Sequence, residues 1–229
     1  KQYGDERRTQ VIPSELGRMS DEDLVPDEQV VVTLTAGNYI KRTSASEYKK
    51  QGRGGKGRRG MSTKEEDVIE HLVIASTHDY LLFFTNKGRL FRLKTYEIPA
   101  SSMVAKGVAA VNLLQLGPEE VVSSVIRVGA KEEKGYLFMC TKRGVVKKTQ
   151  YEAYKNVRAT GIIAINLDDG DELRWIQMTP GDNEVLITTA DGQAMRFHET
   201  GVRPMGRTSR GVRGIRLRSS DQVIGMDVV

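Results

Sequence analysis

Cysteine is almost missing from this chain: Cys140 is the only one in 229 residues. That excludes a disulfide framework within the chain and any cysteine-based metal site. Histidine is scarce as well, and His71, His78 and His198 stand at spacings unlike those of metal ligands, so they read as surface or strand residues. No apolar run approaches the ~20 residues of a membrane-spanning helix. No signal-peptide pattern opens the chain, so a cytoplasmic setting without a membrane partner is expected. Aromatic residues make up 6%, with a single tryptophan, Trp175, that reads as inter-strand packing. Hydrophobic residues reach 38%, which suits many short strands better than one deep core. Sustained 3.6-residue periodicity is also missing, which argues against long helices.

Acid is missing from one stretch altogether. The run Lys49-Lys50-Gln51-Gly52-Arg53-Gly54-Gly55-Lys56-Gly57-Arg58-Arg59-Gly60 carries six cations and five glycines. Glycine lets backbone come close to a surface, and the cations favour a polyanion such as nucleic acid there. The net charge is +5, divided unevenly: residues 1–29 hold eight acids and four bases, a net of −4, which leaves +9 on the rest. A basic body behind an acidic lead segment points to an anionic partner for the body.

Four segments share a hairpin pattern that starts at Thr35, Thr85, Thr141 and Thr189. The turn position three residues on holds Asn38, Gly88, Gly144 or Gly192, all residue types that accept positive φ. Thirteen residues after each threonine stands an apolar residue: Tyr48, Ile98, Tyr154 and Val202. A glycine opening another strand follows at Gly57, Gly107, Gly161 and Gly211, offset 22, 22, 20 and 22 from the threonines. A last apolar strand closes each unit, and the units recur every 50, 56 and 48 residues. Repeats of this length with about four strands each predict an all-β, propeller-like array of four blades. The blades are expected at about 30–78, 79–134, 135–183 and 184–229, together forming a domain over 30–229. Residues 1–29 carry no repeat and read as a linker or arm, with Val11 and Ile12 as a short docking segment.

Repetition turns sequence position into spatial position. The acid-free segment between the apolar landmark and the strand-opening glycine falls at one place on every blade. Its cations are Lys49, Lys50, Arg53 and Lys56 in the first repeat, Lys106 in the second, Lys155 and Arg158 in the third, and Arg203, Arg207 and Arg210 in the fourth. Blades around an axis would set these along one rim as a curved basic track. Such a track suits bent duplex DNA, whose bending costs on the order of 1–6 kcal/mol, and distributed phosphate contacts carry little sequence information.

These residues carry a family resemblance. Gln51-Gly52-Arg53-Gly54-Gly55-Lys56-Gly57 resembles the signature box of the bacterial gyrase A protein family, usually Gln-Arg-Arg-Gly-Gly-Lys-Gly. The flanks, Gly4 to Thr9, Thr63 to Asp67 and Ala75 to Asp79, resemble the family too. The resemblance implies a C-terminal β-pinwheel, normally of six blades, that wraps DNA on its basic rim, with the box as the key element. It implies a parent enzyme, DNA gyrase, an A2B2 assembly with the gyrase B protein in the bacterial nucleoid, that introduces negative supercoils with ATP and Mg bound elsewhere. The fragment itself would be non-catalytic, without cofactor, and would lack the DNA-cleaving tyrosine. Gly52 departs from the usual arginine, and Arg58 and Arg59 are expected to compensate.

Other motifs read plainly. Gly52-x-Gly54-x-x-Gly57 lacks the strand–turn–helix setting of a dinucleotide site, and Gly55-Lys56 fails the P-loop spacing, so no ATP site is expected. Cys140 lies in an apolar strand and reads as core. Two rivals stand beside the main reading. One is the corresponding domain of the related topoisomerase IV. The other is a propeller-like protein-interaction module, whose rim would hold an acidic tail or this chain's own acidic arm.

Overall fold

Each repeat opens on a hairpin that its threonine closes. A β-branched side chain suits the strand and a hydroxyl suits the turn, and threonine combines the two. Thr35, Thr85, Thr141 and Thr189 are buried, and their hydroxyl oxygens accept the backbone N–H of Tyr39 (3.1 Å), Arg89 (3.2 Å), Val145 (3.1 Å) and Gln193 (3.1 Å). Their carbonyls accept from Asn38, Gly88, Gly144 and Gly192, which hold φ of 57, 75, 78 and 80°. A carboxylate from the end of the repeat locks three of these turns: Asp67 accepts from the Gly37 amide at 2.8 Å, Asp171 from Arg143 at 3.0 Å and Asp221 from Asp191 at 3.0 Å. In the second repeat Glu120 instead takes the Thr85 hydroxyl and the Arg89 guanidinium, both at 2.7 Å.

The computed structural model describes residues 21–48, 67–129 and 134–229. The first repeat gives β1 (Gln29–Thr35), β2 (Tyr39–Ser44) and β3 (Ile69–Ser76). The second gives β4 (Tyr80–Thr85), β5 (Arg89–Lys94), β6 (Val108–Ala109) and β7 (Val122–Val128). The third gives β8 (Tyr136–Thr141), β9 (Val145–Gln150), β10 (Ile162–Ile163) and β11 (Leu173–Thr179). The fourth gives β12 (Glu184–Thr189), β13 (Ala194–His198), β14 (Val212–Arg213) and β15 (Val223–Val228). Helical structure among the described residues is limited to short 3-10 turns, none long and apolar enough to cross a membrane.

Among the described residues, the glycine-led strands of repeats 2, 3 and 4 do not complete their own blades. The sheets run β3-β1-β2-β6, β7-β4-β5-β10, β11-β8-β9-β14 and β15-β12-β13. Thus β6 of repeat 2 lies on β2 of repeat 1, β10 of repeat 3 on β5, and β14 of repeat 4 on β9. Every blade with a described successor borrows its outermost strand from that successor. Glycine permits the approach: Gly107 has φ +83°, and a Cβ there would stand 2.4 Å from the Ile40 carbonyl oxygen. At Gly211 it would stand 2.5 Å from that of Val146. Within the described residues β13 has one sheet neighbour, β12.

The core is divided among the blade interfaces. Val30, Val32 and Leu34 pack with Leu81, Phe83 and Phe91 between the first and second blades. Leu82, Phe84 and Leu90 meet Leu137, Met139 and Tyr154 between the second and third. Phe138, Cys140 and Val146 meet Val185, Ile187 and Val202 between the third and fourth, with Trp175 at the margin. Residues 21–28 are docked on the first two blades. Thr77 donates to the Pro26 carbonyl at 2.7 Å, His78 Nε2 to that of Val25 at 2.7 Å, and Lys94 to Glu22 at 2.8 Å. Val11 and Ile12 lie outside the described residues.

Candidate nucleic-acid interface

Strand exchange places the rim segments of repeats 2, 3 and 4 against the blade before their own. Two sets of cations on the second strands hold these segments in place. Seven residues after the anchoring threonine, every repeat has a cation. Arg42 Nε donates to the Ile98 carbonyl at 2.6 Å, Arg92 to that of Lys155, and Lys148 to that of Glu199 at 2.8 Å. All three acceptors belong to the following repeat. In repeat 4, Arg196 turns to Glu184 of its own hairpin, at 2.6 Å from Nε.

The second set is fully buried. Lys41 donates to the carbonyls of Ser102 (3.1 Å) and Met103 (2.5 Å), and Lys147 to those of Ala164 (2.7 Å) and Arg207. Both lysines stand six residues after the threonine, and both face a following rim segment of eight residues, 99–106 and 203–210. Repeat 2 has Phe91 there, and its following segment, 155–160, is two residues shorter. Burial pulls the Lys41 ammonium below its ordinary pKa, against the opposite influence of Glu47. Burial, with the Arg207 charge beside it, brings Lys147 down to about 8. These are structural lysines that clasp the rim from within.

The expected rim cations fall into three groups. Lys155, Arg158 and Arg207 come together, with Arg92, around an open groove of about 600 Å³ that no acid lines. Arg207 also donates to the Ile163 carbonyl at 3.0 Å, which ties the rim segment of the fourth repeat to β10 of the third. Lys106 sits apart, its ammonium 3.5 Å from the Tyr39 ring centroid. Arg203 is exposed outside the groove, and Arg210 pairs with Asp168 at 2.9 Å. Lys49, Lys50, Gln51, Gly52, Arg53, Gly54, Gly55, Lys56, Gly57, Arg58 and Arg59 lie outside the described residues.

Sequence reasoning missed Arg92 and the two buried lysines. The signal was present, since a cation recurs at the seventh position of all four repeats, but strand exchange is what gives it meaning. The acidic arm reaches this region as well. Lys94 meets Glu22 and lies 4.0 Å from the Tyr80 ring centroid, on which Arg92 also stacks at 4.2 Å. Against the downward pull of burial, Glu22 and Tyr80 hold the Lys94 ammonium above its ordinary pKa. Cys140 is buried and its thiol is pushed up to about 12, so it is an inert core group. Among the described residues no group of three or more His, Cys, Asp or Glu side chains is placed to hold a metal ion.

The sequence profile described as DNA gyrase C-terminal domain, beta-propeller, matches residues 29–76, 79–128, 135–180 and 183–229. The chain belongs to the DNA gyrase C-terminal domain family. Members with similar sequences include the gyrase A protein of Clostridium acetobutylicum, 50% identical over 93% of this chain, and that of Staphylococcus epidermidis, 45% identical over all of it. The chain spans 25% and 26% of the length of these two proteins. Among solved structures, a DNA topoisomerase IV C-terminal domain aligns with TM-score 0.75 and a DNA gyrase A C-terminal domain with 0.71. Each is 30% identical, covering 90% and 88% of this chain and 62% and 65% of those chains. The two solved domains share the pinwheel with this chain, and the 45–50% identities to gyrase A proteins set its sequence on the gyrase side.

Proposed function

We propose that this domain binds duplex DNA with little sequence preference and wraps it with one hand, as the C-terminal part of a gyrase A protein. The observation that carries the reading is the acid-free groove at Arg92, Lys155, Arg158 and Arg207, in a family of gyrase C-terminal domains. Arg92 and Arg207 are held by backbone carbonyls of a neighbouring repeat, so these two meet phosphates already positioned, which lowers the ordering cost on binding. Lys106, Arg203 and Arg210 continue the path. Gln51, Gly52, Arg53, Gly54, Gly55, Lys56 and Gly57 act as the wrapping box, with Lys49, Lys50, Arg58 and Arg59 adding charge. The domain is non-catalytic and needs no cofactor. It serves a bacterial, cytoplasmic A2B2 enzyme that joins it to the gyrase B protein, which hydrolyses ATP with Mg to drive negative supercoiling.

The test is closure of a nicked plasmid by ligase in the presence of increasing amounts of the domain, with topology read after protein removal. A one-handed change in linking number, lost when residues 51–57 are replaced by alanine, is the expected result. Binding at low salt with no change in linking number would reject wrapping. Absence of binding at low salt would reject the nucleic-acid reading.

A further inference from the structure

Repeat 4 carries cations that the rim groove does not use. From residue 203 to 218 arginine stands at 203, 207, 210, 213, 216 and 218, with no acid between. Arg207 enters the groove and Arg210 pairs with Asp168. Arg213, Arg216 and Arg218 come after the rim segment and are exposed. Together with Arg143, from the β8–β9 turn, they line a second concavity of about 490 Å³. The side chains of Arg213 and Arg216 have no hydrogen-bond or ion-pair partner among the described residues. The acid in the concavity, Asp221, accepts the amides of Asp191 (3.0 Å) and Gln222 (2.8 Å) through Oδ1 and stands within electrostatic reach of Arg218, and Arg143 donates to the Asp169 carbonyl at 2.7 Å.

The fold does not require these charges. Two, five and seven residues after the strand-opening glycine, repeat 4 has Arg213, Arg216 and Arg218. Repeat 3, which follows the same path after its glycine, has Ile163, Asn166 and Asp168 there, while repeat 1 has Arg59, Ser62 and Lys64. In repeat 3 neutral or acidic residues therefore fill the same places in the same architecture. Clustered like charges repel, and an anion relieves that repulsion.

We propose that Arg143, Arg213, Arg216 and Arg218 form a second phosphate-binding site for duplex DNA, separate from the rim groove. The inference rests on the nucleic-acid reading above. Its geometry suits a duplex better than an isolated anion. The rim segment is anchored on β9 at Lys148, bridged by Pro204, whereas Arg213 pairs with Val145 beside the turn. Three residues of strand separate these points, about 10 Å at ~3.3 Å per residue. That separation, between Pro204 and Arg213 of the same basic run, is comparable to the width of a DNA major groove, about 12 Å, so one duplex spans both ends of the run. Guanidinium forks bind phosphate in two-point fashion and suit such a contact.

The experiment compares the full chain with R213A/R216A/R218A and with R213K/R216K/R218K, all on one mixed-sequence duplex across a salt series. About 0.9 is lost from the slope of log K against log salt for each phosphate contact removed. The alanine variant is expected to lose roughly two to three units of slope and at least about tenfold in affinity at low salt, while the lysine variant keeps the slope. An alanine variant with the wild-type slope overturns the second site and leaves the rim reading standing. A wild-type chain that does not bind the duplex at low salt removes both. Loss of polyglutamate binding with an unchanged DNA slope assigns the cluster to an acidic protein segment and overturns the proposal.

Discussion

Lys147 sits in the interior with its ammonium on two backbone carbonyls, and its pKa of about 8 lies below the ordinary 10.5. Between these values the unfolded chain keeps a proton that the folded chain has released. The contribution of Lys147 to stability therefore rises with pH from about 8 to 10.5. Cys140 and Tyr154 act oppositely: burial raises both to about 12 from 9.0 and 10.0, so the unfolded chain loses their protons first and stability falls across that range. The readout is thus a difference. Melting temperature of the wild type minus that of Lys147→Met is expected to climb between pH 8 and 10.5, and a flat difference would show that Lys147 keeps an ordinary pKa.

At the scale of the element, the hairpin turns report which strands are covered. Gly88, Gly144 and Gly192 occupy equivalent turns with φ of +75, +78 and +80°. Alanine at any of them incurs about 1–2 kcal/mol for the left-handed backbone. At Gly88 the new Cβ would also lie 2.6 Å from the Ile165 carbonyl oxygen, and at Gly144 2.6 Å from Ile215 Cγ2, both from the following repeat. At Gly192 it would meet nothing within 4 Å. Overpacking typically adds about 1–3 kcal/mol, so chemical denaturation should find Gly88→Ala and Gly144→Ala worse than Gly192→Ala by that margin. Equal losses at all three sites would contradict the covering of each turn by its successor.

At the scale of the molecule, the three core clusters among the described residues each lie between neighbouring blades, the pattern of a repeat protein. Cys140 lies in the cluster between the third and fourth blades and serves as a probe of its opening. Ile187→Ala, in the same cluster, should cost about 2–5 kcal/mol and speed labelling of Cys140 by a thiol reagent under native conditions. Leu81→Ala, between the first and second blades, should cost a similar amount and speed labelling much less. Equal acceleration by both would mean that the array opens only as one unit.

The sequence by itself determined the local grammar: four threonine-anchored hairpins, turn residues that accept positive φ, apolar strands and acid-free rim segments. Each rests on interactions within a few residues, such as Thr141 to Val145, or on composition, and both can be read along the chain. Repetition along the chain also marks which segments are equivalent from one repeat to the next. Tertiary structure alone decided which blade each glycine-led strand joins, because Val108 has no mark along the chain that names Ile40 as its partner. It also decided which cations face solvent. Lys147 and Lys155 look alike in sequence, yet one is sealed beneath a rim segment and the other lines the groove. Burial and pairing depend on the neighbouring repeat, and that neighbour is assigned by packing across the blades.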